Sequence, residues 1–153
     1  MKIAAVVNSL ILCLVVSAEP VRVGTFEVDA TPPLGSPLAY DLMTGVDSPL
    51  SCRGIVLLGA GDPIVLAAID WIGLSNDGHL EFRKALAEGA STRMERVAMH
   101  ALHQHDAPRC DFSAEALLAA QGMGGKKFNV VHARKVIAAL AVAVKKAVET
   151  AKP

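Results

Sequence analysis

Apolar residues recur with three different rhythms along these 153 residues, and the rhythm changes mark the elements. Val21 to Val28 alternates imperfectly and predicts a first strand. The chain then meets Pro32, Pro33 and Pro37, which fix extended or turn backbone and end the strand. Residues 38–52 have no clear period and contain Gly45, Asp47 and Pro49. They read as a long ordered loop, holding the single tyrosine Tyr40, whose tip reaches the histidine stretch between Met99 and Pro108. Arg53 to Leu58 and Pro63 to Ile69 are β-branched apolar runs around Gly59-Ala60-Gly61-Asp62, the pattern of a hairpin with a four-residue turn. Both runs are apolar at nearly every position, as in strands covered on both faces.

Helical spacing follows. Asn76-Asp77 starts a helix with Leu80, Phe82, Ala85 and Leu86 on its apolar side and Gly89 at its end. His79 falls in its solvated first turn. Arg96 to Leu102 is the next strand, and a right-handed crossover lays it parallel to its neighbour. Ser113 caps a short helix over Ala114 to Ala120. The stretch from Gln121 to Lys127 is a flexible loop; Ala120 and Lys127 stand where a phosphate-binding loop needs Gly and Ser/Thr. Val131 to Thr150 carries Val136, Ile137, Leu140, Ala143, Val144, Ala147 and Val148 on one face, with Arg134, Lys135, Lys145 and Lys146 opposite. His132 sits in its solvated first turn. The expected fold is α/β: a mixed, largely buried β-sheet with a hairpin and a crossover helix, flanked by a C-terminal amphipathic helix.

The amino terminus has its own pattern. Lys2 precedes an apolar run from Ile3 to Val16, and Val16-Ser17-Ala18 suits a leader peptidase. Residues 1–18 therefore read as a signal peptide cut after Ala18, which sends the chain to a secreted or periplasmic compartment. The apolar run is too short, and too soon followed by Glu19-Pro20, for a membrane anchor. Residues 19–153 then form a single domain. Fifteen basic and fifteen acidic side chains balance, so nucleic acid and an anionic membrane surface are not expected partners. In an oxidising setting Cys52 and Cys110 are expected either as a disulfide or as two unpaired buried thiols, with a metal-ligand role for Cys110 left open.

The chemistry concentrates in Met99-His100-Ala101-Leu102-His103-Gln104-His105-Asp106-Ala107-Pro108, where three of the five histidines fall within six positions. On a strand His103 and His105 share a face and His100 takes the other. Two imidazoles at a strand end make the start of a zinc site, which for hydrolysis needs a third protein ligand and an open position. Asp70, at the end of the preceding strand, either supports such a histidine or caps a turn. A metallo-β-lactamase pattern, His-x-His-x-Asp-His, is excluded because the aspartate follows His105 directly and no histidine comes after it.

Taken in order, Asp29-Ala30-Thr31-Pro32-Pro33-Leu34-Gly35, then Gly45-Val46-Asp47-Ser48-Pro49-Leu50 leading into Arg53-Gly54-Ile55-Val56-Leu57, then Ala101 to Pro108, resemble the amino-terminal part of the neutral/alkaline non-lysosomal ceramidase family. The resemblance runs from the mature start to the last helix. It implies a zinc amidase that cleaves ceramide to sphingosine and a fatty acid. Matched to that family's Thr-His-Thr-His-Ser-Gly-Pro type segment, His103 would be the zinc ligand and His105 the catalytic neighbour. Leu102 and Gln104 replace small hydroxyl residues, and Asp106-Ala107 replaces Ser-Gly, adding a charge that competes for the metal. The family domain is several times longer and takes its other ligands from later sequence. The expectation is a ceramidase-like zinc-dependent amide hydrolase, incomplete in this chain, that meets a membrane only through a ceramide-like lipid amide. The alternative is a secreted, non-catalytic α/β protein of the same ancestry.

Overall fold

The computed structural model describes residues 20–153, so the leader-peptide reading lies outside the described residues. Strands β1 (Arg22–Asp29), β2 (Ser51–Gly59), β3 (Gly61–Ile69) and β5 (Val97–Ala101) form one sheet in the order β1-β2-β3-β5. The first three pair antiparallel, and β5 lies parallel to β3. Helix α1 (Asn76–Ala90) makes the crossover between β3 and β5, as the order of apolar runs predicts. Two short strands, β4 (Gly73–Leu74) and β6 (Arg109–Cys110), pair parallel beside the sheet. Helices α2 (Phe112–Ala120) and α3 (Val130–Thr150) complete the mixed α/β fold.

The hairpin is tighter than its sequence suggests. Gly59 pairs with Gly61, leaving Ala60 at the tip, and Gly61 takes a φ of 94° that a side chain would resist. The register slips between Leu57 and Gly59, a bulge that absorbs the odd residue.

One face of the sheet carries the core. Phe26, Cys52, Val56, Val65, Ala67, Ile69, Val97 and Met99 point to it and are buried under α1 and α3. From α1 come Phe82, Leu86 and Ala90; from α3 come Val136, Leu140, Val144 and Ala147. The helices come close because small residues let them. A β-carbon on Gly24 would lie 2.0 Å from the Ala147 carbonyl oxygen, and one on Gly89 would lie 2.6 Å from that of Ala141. Gly89 is thus a packing residue inside α1, not its terminus. The helix ends at Ser91, whose left-handed φ of 52° lets its N–H reach the final carbonyls. Leu80, expected inward, is exposed on the far side of α1.

The opposite face of the sheet is open. Among the described residues no element covers Ile55, Leu57, Ile64, Leu66 and Ala98, so the expectation of strands buried on both faces is met on one face only.

The remaining caps follow local chemistry. Asp111, not Ser113, caps α2: its Oδ1 accepts the Ala114 N–H at 2.9 Å while its other oxygen accepts from the Asn76 side chain at 2.7 Å. Asn129 caps α3 by accepting the His132 N–H at 3.0 Å. Cys52 and Cys110 are free, buried thiols, not a disulfide. Burial above all, with the negative charge of Asp70 near one and Asp111 near the other, pushes both up to about 12. Among the described residues Cys110 joins no group of three potential metal ligands.

Candidate functional site

The site forms where the carboxyl ends of β3 and β5 meet the 30–50 loop. Strand β5 stops at Ala101, two residues before the expected histidine pair begins, so strand alternation does not set their direction. Backbone bonds do. Leu102 N–H donates to Ile69 O at 2.9 Å and His103 N–H to Trp71 O at 3.1 Å, which pins the departing chain against the end of β3. His103 itself adopts a left-handed φ of 63°, a conformation histidine tolerates better than most side chains. The chain returns through Pro108, whose carbonyl accepts the Ile72 N–H at 3.0 Å, and enters β6.

This clamp brings the two imidazoles together, with ring centroids 5.0 Å apart and planes at 72°. His103 Nδ1 lies 2.9 Å from the Ile72 carbonyl oxygen. A carbonyl only accepts, so this bond puts a proton on Nδ1 and, in the neutral ring, leaves the lone pair on Nε2. His105 Nδ1 lies 3.5 Å from the Tyr40 hydroxyl, with the two rings edge to face at 5.6 Å. Both histidines and Tyr40 are exposed.

Tyr40 arrives from a distance of 65 residues in sequence on a small turn. Leu38 N–H bonds to Asp41 O at 2.8 Å, and Met43 N–H to Ser36 O at 2.9 Å, with Ser36 and Met43 buried beneath. Asp29 starts this loop: its Oδ1 accepts the Thr31 N–H at 2.8 Å. The nearby Thr31 hydroxyl above all, and then this backbone bond, lower the Asp29 pKa. Beside the histidines lies a largely polar cleft of about 410 Å³, where Leu42, Val46 and Leu50 alternate with Asp41 and Asp47 and face Gln104 and Asp106.

The other candidates fall into structural roles. Asp70 holds the start of β2, accepting from Ser51 N–H at 2.7 Å and Ser51 Oγ at 2.9 Å, with Arg53 at 3.5 Å. The group that orients His103 is instead the carbonyl of Ile72, two residues on. His79 and His132 are half-buried, not solvated: His79 Nε2 bonds to Met99 O at 3.0 Å and His132 Nε2 to Ala30 O at 3.2 Å. His100 points from the open sheet face, away from the pair. The expected reach of the 38–52 loop to the histidine stretch is met, and Tyr40 is the side chain that makes the contact.

A zinc ion suits part of this set. His103 offers a free Nε2 with its other nitrogen fixed by a carbonyl, the arrangement that metal-binding histidines use. Among the described residues, however, no three His, Cys, Asp or Glu side chains gather as a metal cage. The donors present therefore fit an incomplete ligand set.

No protein-family profile matches the sequence, and no curated protein sequence does. The fold does have solved counterparts. A crystal structure of neutral ceramidase from Pseudomonas aeruginosa superposes with a TM-score of 0.66 at 17% identity, over 88% of this chain and 22% of that one. A ceramidase complexed with C2 superposes with a TM-score of 0.64 at 18% identity and the same coverage. The chain thus spans about a fifth of the length of the solved structures it matches, and what it shares with that part of a neutral ceramidase is the fold.

Proposed function

We propose that this chain carries the zinc-holding corner of a ceramidase-like amide hydrolase, with a ceramide-like lipid amide as substrate. We place it in a secreted or periplasmic setting on the strength of the leader-like residues 1–18. The observation that carries the reading is the bond from His103 Nδ1 to the Ile72 carbonyl, which leaves Nε2 free to bind a cation. The fold likeness to neutral ceramidase supports it independently.

Bound zinc would supply a Lewis acid for the amide carbonyl and a water whose pKa falls to about 7. The chain's own residues divide the remaining work. His103 would hold the cation through Nε2. When the Tyr40 hydroxyl donates to His105 Nδ1, His105 carries its proton on Nε2 and can donate it to the carbonyl oxygen as that atom gains charge. Leu42, Val46 and Leu50 would offer an aliphatic chain its apolar contacts in the cleft, and Gln104 would meet the polar head. Asp106, on the same rim, opposes an anionic ligand.

Zinc analysis of the purified protein tests the reading. About one zinc per chain, lost in His103→Gly, supports it; equal metal in both rejects it. Because the described residues hold no third ligand, hydrolysis of a fluorescent ceramide is expected to be poor. Efficient, chelator-sensitive hydrolysis that His103→Gly abolishes would overturn the incompleteness. The same shortage of ligands favours a second reading, a non-catalytic protein of common ancestry, for which the unmutated chain would hold no zinc.

A further inference from the structure

We infer that His79 and Arg83 form a latch that closes the outer edge of β5 to a further strand. Leu102 N–H turns inward to Ile69 O at 2.9 Å, so backbone alternation aims the N–H and C=O of Val97, Met99 and Ala101 outward. A row of such groups on an edge strand is a template for another chain. Helix α1 takes two of its acceptors. Arg83 Nε donates to Val97 O at 3.2 Å, and His79 Nε2 lies 3.0 Å from Met99 O, which can only accept. The Val97 N–H is engaged as well, by Met94 O in the turn Met94–Arg96 that leads into the strand. Arg83 grips that turn too, through a second bond from its guanidinium to the same Met94 carbonyl.

The fit comes from two periods that nearly agree. Side chains four apart on a helix lie roughly 6 Å from one another, and alternate residues of a strand roughly 6.6 Å. A helix running against β5 therefore serves Met99 and Val97 from one stripe, with His79 and Arg83 as its rungs. Both side chains are half-buried, so water competes weakly for the carbonyls. A strand arriving at this edge would have to leave N–H groups of its own unpaired or break both bonds. The far edge of the sheet is stopped by other means: Val23 on β1 exchanges backbone bonds with Lys152, at 2.7 and 3.1 Å. The latch rests on backbone acceptors and is independent of zinc.

His79→Ala combined with Arg83→Ala releases both carbonyls without adding apolar bulk, and alanine keeps the helix. Compared with the unmutated chain by sedimentation at rising concentration, this variant should self-associate through β5. The concentration at which half the chains are joined should fall about fivefold for each freed carbonyl, one typical hydrogen bond apiece. The outward amides of Met99 and Ala101 should gain protection from exchange in the associated form. His79→Gln with Arg83→Lys keeps a donor at each rung and should behave as the unmutated chain does. If the double alanine variant loses its native circular dichroism, the single variants decide, each by a shift of about fivefold. Folded alanine variants that associate no more than the unmutated chain would overturn the inference. So would association that leaves Met99 and Ala101 exchanging freely, or a Gln and Lys variant that associates like the alanine one.

Discussion

The helix-covered half of the molecule and its histidine corner are built by different rules. In the core, side chains at regular spacing decide everything: α3 presents Val136, Leu140, Val144 and Ala147 to the sheet because they lie on one helical stripe. In the corner, periodicity is lost and single backbone bonds decide. His103 and His105 meet because Ile69, Trp71 and Pro108 carbonyls hold the turn between them, not because of where they fall on a strand. A core of this kind tolerates the loss of few atoms; a corner of this kind can lose a functional ring and remain folded.

The sharpest way to break that contrast is at Trp71, which belongs to both regions. Its indole is 1% exposed, packs edge-on to Phe82 at 5.6 Å and donates to Ala30 O at 2.9 Å, while its carbonyl holds His103. Trp71→Ala should cost about 3–5 kcal/mol in urea unfolding. A cost below about 1 kcal/mol would show that the core does not reach the corner.

Gly24→Val probes the core alone. Its new side chain would strike the Ala147 carbonyl, a rigid backbone atom, and should cost about 1–3 kcal/mol. Asp111→Ala removes the α2 cap and should cost about 1 kcal/mol, read as faster amide exchange across Ala114 to Ala120.

The two thiols give a pH signature. Each is pushed from 9.0 up to about 12 in the folded protein, so the folded state keeps protons that the unfolded chain releases. Stability should hold below pH 9 and fall as pH rises from there towards 12. Cys52→Ala should make that fall shallower. A slope identical in both proteins would place the Cys52 thiol in contact with water.

How much of this was legible follows the same division. The strand-strand-helix-strand succession from β2 to β5, the parallel β5 and the apolar stripe of α3 are written in spacing, and the structure has them. Spacing does not show which glycine ends a helix: Gly89 looks like a stop, yet serves the approach of α3, because only the partner helix gives it a purpose. Nor does it show solvation. His79 and His132 read as surface residues, but each bonds a carbonyl from another element. The corner was legible in composition, as histidines crowded before a proline, but not in mechanism. The reach of the Tyr40 loop to the histidines was legible; the Ile72 carbonyl, which sets the His103 ring, has no local signal.

The smallest effect on stability is expected from His103→Gly, because glycine accepts the left-handed backbone and only an exposed ring is lost. Its effect on chemistry should be the largest. The direct test is long-range proton–nitrogen NMR of the five imidazoles before and after adding zinc. His103 should carry its proton on Nδ1 in the metal-free protein, and zinc should shift His103 Nε2 and the neighbouring His105 ring while His79, His100 and His132 stay fixed. A His103 protonated on Nε2, or zinc that moves His100 as much as His103, would contradict the account.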